Sequence, residues 1–186
     1  MESKNKRVNI TIGRFQPMHY GHYKCVEEAW KAKGIPTVIC MIRVPEDRVD
    51  EKHPFPSAMI VDLYKDILLK DPKIVTVIDV PRADPVLVHQ QLGDKYQIAS
   101  LTCGTDRFAA YQWMYKYKEQ ADLADDFEIL EVKRSDEDVS ATKVRKALLD
   151  NDRIEFLKLI PMVPLSTKSE NDIFAILREQ ILKVVK

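Results

Sequence analysis

Short apolar runs alternate along this chain with longer stretches whose apolar residues recur every three or four positions. The runs at 8–12, 37–44, 74–80, 97–103 and 127–132 read as strands, and the stretches at 19–33, 57–69, 84–92 and 105–118 read as helices. Strand and helix in strict alternation predict an α/β fold, a Rossmann-like doubly wound parallel sheet with right-handed crossovers and helices on both faces. On such sheets ligands bind beyond the carboxyl ends of the strands, where the strand order reverses.

Past residue 132 the pattern is helical, at 141–149, 154–159 and 171–186, with a turn at Asn151-Asp152 and a link Pro161-Met162-Val163-Pro164. Residues 1–160 are expected to form one domain, and 161–186 a linker and an amphipathic helix packed on it. Ser169 is placed to cap that helix, with Asp172 three residues on. Its apolar face, Ile173, Phe174, Ile176, Leu177, Ile181, Leu182 and Val185, either folds back on the sheet or meets a second copy in a homo-oligomer. The sequence leaves both open.

Charge changes the picture by what it removes. Lys plus Arg and Asp plus Glu number 29 each among 186 residues. No global field draws the chain to nucleic acid or to an anionic membrane, so any phosphate affinity must come from local clusters and the expected partners are small molecules. Cys25, Cys40 and Cys103 read as reduced core residues. No apolar run approaches the roughly 18 residues of a membrane span, and the N-terminus lacks a leader pattern, so the expected compartment is cytoplasmic.

The candidate chemistry sits where the first strand meets the first helix, at Gly13-Arg14-Phe15-Gln16-Pro17-Met18-His19-Tyr20-Gly21-His22. A strand turning into a helix N-terminus aims free backbone N–H groups and the helix dipole at one spot. That end collects Arg14, His19 and His22 instead of the usual Asp or Glu, so an anion from outside is expected to complete it. A second helix end repeats the theme. Ser140 is a plausible cap for a helix beginning at Ala141, and Lys143 stands where a capping box would place Glu or Gln, with Arg145 beyond. Asp136, Glu137 and Asp138 could instead neutralise these cations as a solvated loop. The five glycines form neither a GxGxxG fingerprint nor a GxxxxGK[ST] loop, which removes the main support for dehydrogenase and P-loop readings.

Two rival constellations are weaker. His19, His22 and Cys25 are spaced by threes, and each such step turns about 60° around a helix, which splays them for tetrahedral zinc. Tyr111, Trp113, Tyr115 and Tyr117 with Lys116 and Lys118 read more simply as a packing face than as a stacking surface for RNA.

Taken together, Gly13 to His22 and Ser140-Ala141-Thr142-Lys143-Val144-Arg145 resemble the nucleotidylyltransferase superfamily of HxGH and (S/T)xxxR type, from residue 8 to about 160. The wording of the first motif is most similar to the nicotinamide mononucleotide adenylyltransferases, and His53-Pro54-Phe55-Pro56 resembles their Asn-Pro-Phe-Thr element. Gly104-Thr105-Asp106-Arg107 also resembles cytidylyltransferase-like proteins of large bacteriophages. Two departures stand out: Ser57-Ala58-Met59 replaces the usual Gly-Glu-Arg, and Ala141 stands where Ser or Gly is common.

The resemblance implies adenylyl transfer from ATP to nicotinamide mononucleotide, giving NAD and pyrophosphate. It assigns catalysis to His19, His22 and Arg145, and nucleotide contacts to Gly13, Arg14, Phe15, Gly21, Gly104, Asp106, Ser140, Thr142 and Lys143. Mg²⁺ is expected on the triphosphate, with no metal held by the protein alone. A cytidylyltransferase acting on a phosphorylated alcohol, and a nucleotide-binding regulator without turnover, are the alternatives.

Overall fold

A computed structural model describes residues 6–133, 139–161 and 170–185. β1 (Lys6–Gly13) lies between β2 (Thr37–Ile42) and β4 (Tyr96–Gly104), while β3 (Ile74–Val80) and β5 (Leu123–Val132) form the edges of an all-parallel sheet in the order β3-β2-β1-β4-β5. The chain winds outward through α1 (Tyr20–Lys33) and α2 (Ser57–Leu68) as far as β3. It then returns by α3 (Pro85–Leu92) to place β4 on the other side of β1. This reversal opens a crevice outside the carboxyl ends of β1 and β4, at Gly13 and Gly104.

Period-two alternation sends Val8, Ile10, Ile12, Val38 and Cys40 into one apolar cluster with Val88, Ile98 and Leu101, and Ile39 and Met41 into another with residues of α2 and the C-terminal helices. The second face of β1 is polar. Buried Asn9 donates to Thr37 Oγ1 at 3.0 Å and accepts from Ser100 Oγ at 2.8 Å and Thr102 Oγ1 at 2.7 Å. One amide thus ties the three central strands together with each of its buried polar partners satisfied.

α5 (Ala141–Leu149), α6 (Arg153–Leu159) and α7 (Glu170–Val184) close one face of the sheet. Asn151 enters the left-handed region between α5 and α6, at φ 57°, and Asp152 caps α6 by accepting from Glu155 N at 2.9 Å. α7 buries Ile173, Phe174, Leu177 and Ile181, with Phe174 edge-on to Phe156 at 5.2 Å, so its main apolar face is consumed within the chain. Removing the fully buried Leu177 side chain to Ala would cost roughly 2–5 kcal/mol. Ile176 and Leu182 stay exposed. The expected cap Ser169, the link from Met162 to Pro164, and Asp136 to Asp138 lie outside the described residues.

One expected helix is corrected. The stretch 105–118 is only briefly α-helical, in α4 (Thr105–Phe108), and then winds as a 3₁₀ helix over Ala109–Tyr117. Tyr111 and Met114 are its buried residues, spaced by three, and three residues per turn keeps both on the core side. Trp113, Tyr115 and Tyr117 remain substantially exposed, so the aromatic packing face is narrower than the sequence suggests. Tyr115 lies on Phe127 and its hydroxyl accepts from Ile129 N at 3.2 Å, which covers part of the β5 edge. β5 itself starts at Leu123, ahead of the expected 127, because exposed Asp125 and Asp126 interrupt the apolar run. All three cysteines are buried as thiols. Among the described residues no helix is long and apolar enough to cross a membrane.

Candidate active site

The loop from β1 to α1 is built around Phe15 and Gln16. Phe15 takes a left-handed backbone at φ 51°, a strained choice for a bulky residue, and its ring is locked in the core while its edge meets His22 at 4.6 Å between centroids. Buried Gln16 reads the backbone of Phe55 in both directions: its Nε2 donates to the carbonyl at 2.6 Å and its Oε1 accepts from the N–H at 2.9 Å. The loop before α2 is thereby fixed to the loop before α1.

That second loop carries a defined relay. Asp50 accepts from Lys52 N at 2.9 Å and His53 N at 2.6 Å, and the His53 N–H in particular holds its carboxyl below the usual aspartate value. His53 Nδ1 lies 3.2 Å from Asp50 Oδ1, and its Nε2 lies 3.3 Å from Arg14 Nη1. A guanidinium can only donate, so Nε2 is the acceptor and Nδ1 carries the hydrogen toward Asp50. From α7, Gln180 supports the loop by donating to Pro54 O at 3.1 Å.

His19 is the N-cap residue of α1 and is almost wholly buried. Its ring stacks on His22 at 3.7 Å, and its main-chain N–H donates to His22 Nδ1 at 3.2 Å. His22 thus does the work that Glu or Gln performs at the third helical position of a capping box. Gly21 is required for a reason the sequence did not indicate. A Cβ there would lie 2.9 Å from both the Val139 carbonyl oxygen and His19 Cε1, so the space it leaves is taken by the protein itself.

α5 supplies the third wall. Ser140 caps it as expected, accepting from Lys143 N at 3.3 Å. Arg145 donates to Gln16 O at 2.8 Å and to Thr142 Oγ1 at 3.3 Å. Partial burial draws its pKa below the ordinary arginine value, against the nearby Asp50 charge that raises it. The guanidinium remains a cation.

These walls enclose a cavity of about 510 Å³. Gly13, Arg14, Phe15, His22, Thr142 and Arg145, all singled out from the sequence, line it. His19, Gly21, Gly104, Asp106, Ser140 and Lys143 do not. His19 and Gly21 stand behind His22, Ser140 is spent on its cap, and Asp106 is exposed and paired with Arg107 at 3.5 Å. Arg107, Tyr111 and Lys52 line the cavity without having been assigned there, although Arg107 ends the Gly104–Arg107 motif and Lys52 precedes the one beginning at His53. Burial raises the Tyr111 hydroxyl's pKa. Arg14, Lys52, Arg107 and Arg145 give the lining four permanent cations, and none of its residues is Asp or Glu. Among the described residues no His, Cys, Asp and Glu group is arranged to hold a metal. A chain neutral overall has therefore gathered positive charge at the strand ends, an arrangement suited to a polyphosphate.

The family model for cytidylyltransferase-like proteins matches residues 10–147. The chain belongs to this family. No curated protein matches it in sequence. Among solved structures, this cytidylyltransferase-like chain is similar to Plasmodium falciparum nicotinic acid mononucleotide adenylyltransferase complexed with NaAD, at TM-score 0.55 and 15% identity over 96% of each chain. It is also similar to a bifunctional NMN adenylyltransferase/ADP ribose pyrophosphatase from Francisella tularensis, at TM-score 0.55 and 17% identity over 96% of this chain and 51% of that one. A third is Thermotoga maritima TmcAL bound with alpha-thio ATP, at TM-score 0.55 and 13% identity over 96% of this chain and 56% of that one. At such identities the likeness establishes the fold.

Proposed function

We propose that the chain transfers AMP from ATP to a pyridine mononucleotide, nicotinamide mononucleotide in the reading the sequence favours, and releases pyrophosphate. The observation that carries this reading is the convergence of Arg14, His22, Thr142 and Arg145 on one cavity without carboxylates. The names of the solved neighbours, several of which are mononucleotide adenylyltransferases, support the choice of acceptor.

The acceptor's phosphate oxygen attacks the α-phosphorus in line, and the bond from that phosphorus to the bridging oxygen of pyrophosphate breaks. The protein's task is positioning and charge. His22 donates from Nε2 to the oxygens that gain charge, because its Nδ1 is occupied in accepting from His19 N. Arg145 and Thr142 hold the β- and γ-phosphates, with the guanidinium fixed by Gln16 O. Arg14, steadied by His53, faces the reacting phosphates. The lining offers no carboxylate cage, so Mg²⁺ enters as part of the ATP substrate, held by phosphate and water.

The test is a panel: Mg²⁺ with ATP or CTP against nicotinamide mononucleotide, nicotinate mononucleotide, phosphopantetheine and glycerol 3-phosphate, following pyrophosphate. Turnover of ATP with a pyridine mononucleotide is expected. Faster turnover of CTP with glycerol 3-phosphate favours the second reading, which the family match to cytidylyltransferase-like proteins keeps in play.

A further inference from the structure

The three walls of the cavity are tied in series. Arg145 of α5 donates to Gln16 O, and the Gln16 side chain grips the Phe55 backbone, so α5, the loop before α1 and the loop before α2 form one line of contacts. α7 closes that line into a ring. It packs on α5, where Phe174 and Leu177 share an apolar cluster with Val144 and Leu148, and its Gln180 donates from Nε2 to Pro54 O at 3.1 Å. Two successive residues of the 50–55 loop are thus held by two glutamines, Phe55 by Gln16 and Pro54 by Gln180. Gln16, Phe55 and Arg145 fall within residues 10–147, the span that the family model matches, whereas Gln180 comes from beyond it.

Gln180 does not line the cavity, but the residues next to its partner do: Lys52 and His53 enter the lining just ahead of Pro54. Pro54 is buried, so without the Gln180 donor its carbonyl either goes unsatisfied or shifts toward another partner. In both cases the wall that carries Lys52 and His53 loses its tie to α7. We propose that Gln180 is a positioning residue for nucleotide binding, acting from α7 through Pro54 on Lys52 and His53. The inference rests on the reading of the cavity as an ATP site and extends that site to a helix that contributes nothing to its lining.

Calorimetric titration of the full chain with ATP and Mg²⁺, in the absence of acceptor, tests this without turnover. Gln180→Met keeps the length of the side chain and removes the donor, and it should weaken ATP by about three- to tenfold. Gln180→Glu sets a carboxylate against the Pro54 carbonyl and should weaken ATP further. A double-mutant cycle separates positioning from general loss of stability. In a chain already carrying Lys52→Ala and His53→Ala, Gln180→Met should cost no further ATP affinity, because the side chains it positions are gone. Unchanged affinity in Gln180→Met, or a loss repeated undiminished in the Lys52→Ala, His53→Ala background, overturns the proposal. Gln180-dependent ATP affinity with no pyrophosphate released to any acceptor of the panel keeps the positioning role and removes the transfer reading.

Discussion

The main-chain N–H of His19 donates to Nδ1 of His22, so one hydrogen bond both closes the first turn of α1 and sets the tautomer of the ring that faces the cavity. An accepting Nδ1 places the hydrogen on Nε2, at the opposite edge of the imidazole. In the proposed transfer, cap and donor are the same side chain.

These two roles separate by substitution. His22→Ala should lose about 1 kcal/mol of stability with the cap and at least about a hundredfold in kcat. His22→Gln can still accept from His19 N, as Gln does in a capping box, so stability should return while kcat does not. Denaturant melts beside steady-state rates check this; parallel recovery of both would remove the catalytic role.

Gly21→Ala should destabilise by about 1–3 kcal/mol, because the new methyl meets the Val139 carbonyl and the His19 ring at 2.9 Å and a backbone group must shift. The loss should extend to turnover, since Val139 leads directly into the α5 cap. A melt indistinguishable from wild type contradicts the close approach.

Gln16→Glu should be nearly as damaging as Gln16→Ala. The carboxylate sets an oxygen against the Phe55 carbonyl at the 2.6 Å contact, and either variant leaves a buried backbone group unsatisfied, about 1–3 kcal/mol each. Both should also weaken ATP, because the 50–55 loop loses its tie to the β1–α1 loop, whose Gln16 carbonyl holds Arg145. A shift in denaturant midpoint for both variants is the expected outcome.

Asp50 gives a pH dependence of known sign. Its folded-state pKa is depressed, so its contribution is complete above the ordinary aspartate value of about 3.9 and is lost as pH falls through the lower folded value. The Asp50 hold on the His53 loop should therefore weaken on the acid side of the ordinary aspartate range. Asp50→Asn should flatten that acid limb in a stability profile measured against wild type.

Much of this architecture was legible because periodicity reports burial directly: β1 to β4 fall on runs of apolar residues, and Ser140 announces α5 by its chemistry. The 3₁₀ winding at Ala109–Tyr117 was not, since Tyr111 and Met114 at a spacing of three suit an α-helical reading as well. In the site, Arg14, His22 and Arg145 stood out as basic residues near helix starts. Gln16 did not, because a neutral amide discloses its role only when its partner, the Phe55 backbone 39 residues away, is known. Tyr111 enters the cavity through tertiary placement that no local pattern records.

Arg145→Ala should weaken ATP and pyrophosphate by about tenfold or more, and adenosine far less, since in the proposed transfer its guanidinium holds phosphate. Equal losses for all three ligands would indicate misfolding, which a melt resolves.

Attack at the α-phosphorus can be followed with ATP labelled at that atom. Wild type with Mg²⁺ and nicotinamide or nicotinate mononucleotide should move the label into a dinucleotide and release one pyrophosphate per transfer, with His22→Gln slower by at least about a hundredfold. Orthophosphate release, or label remaining in ATP with every acceptor, would contradict the account.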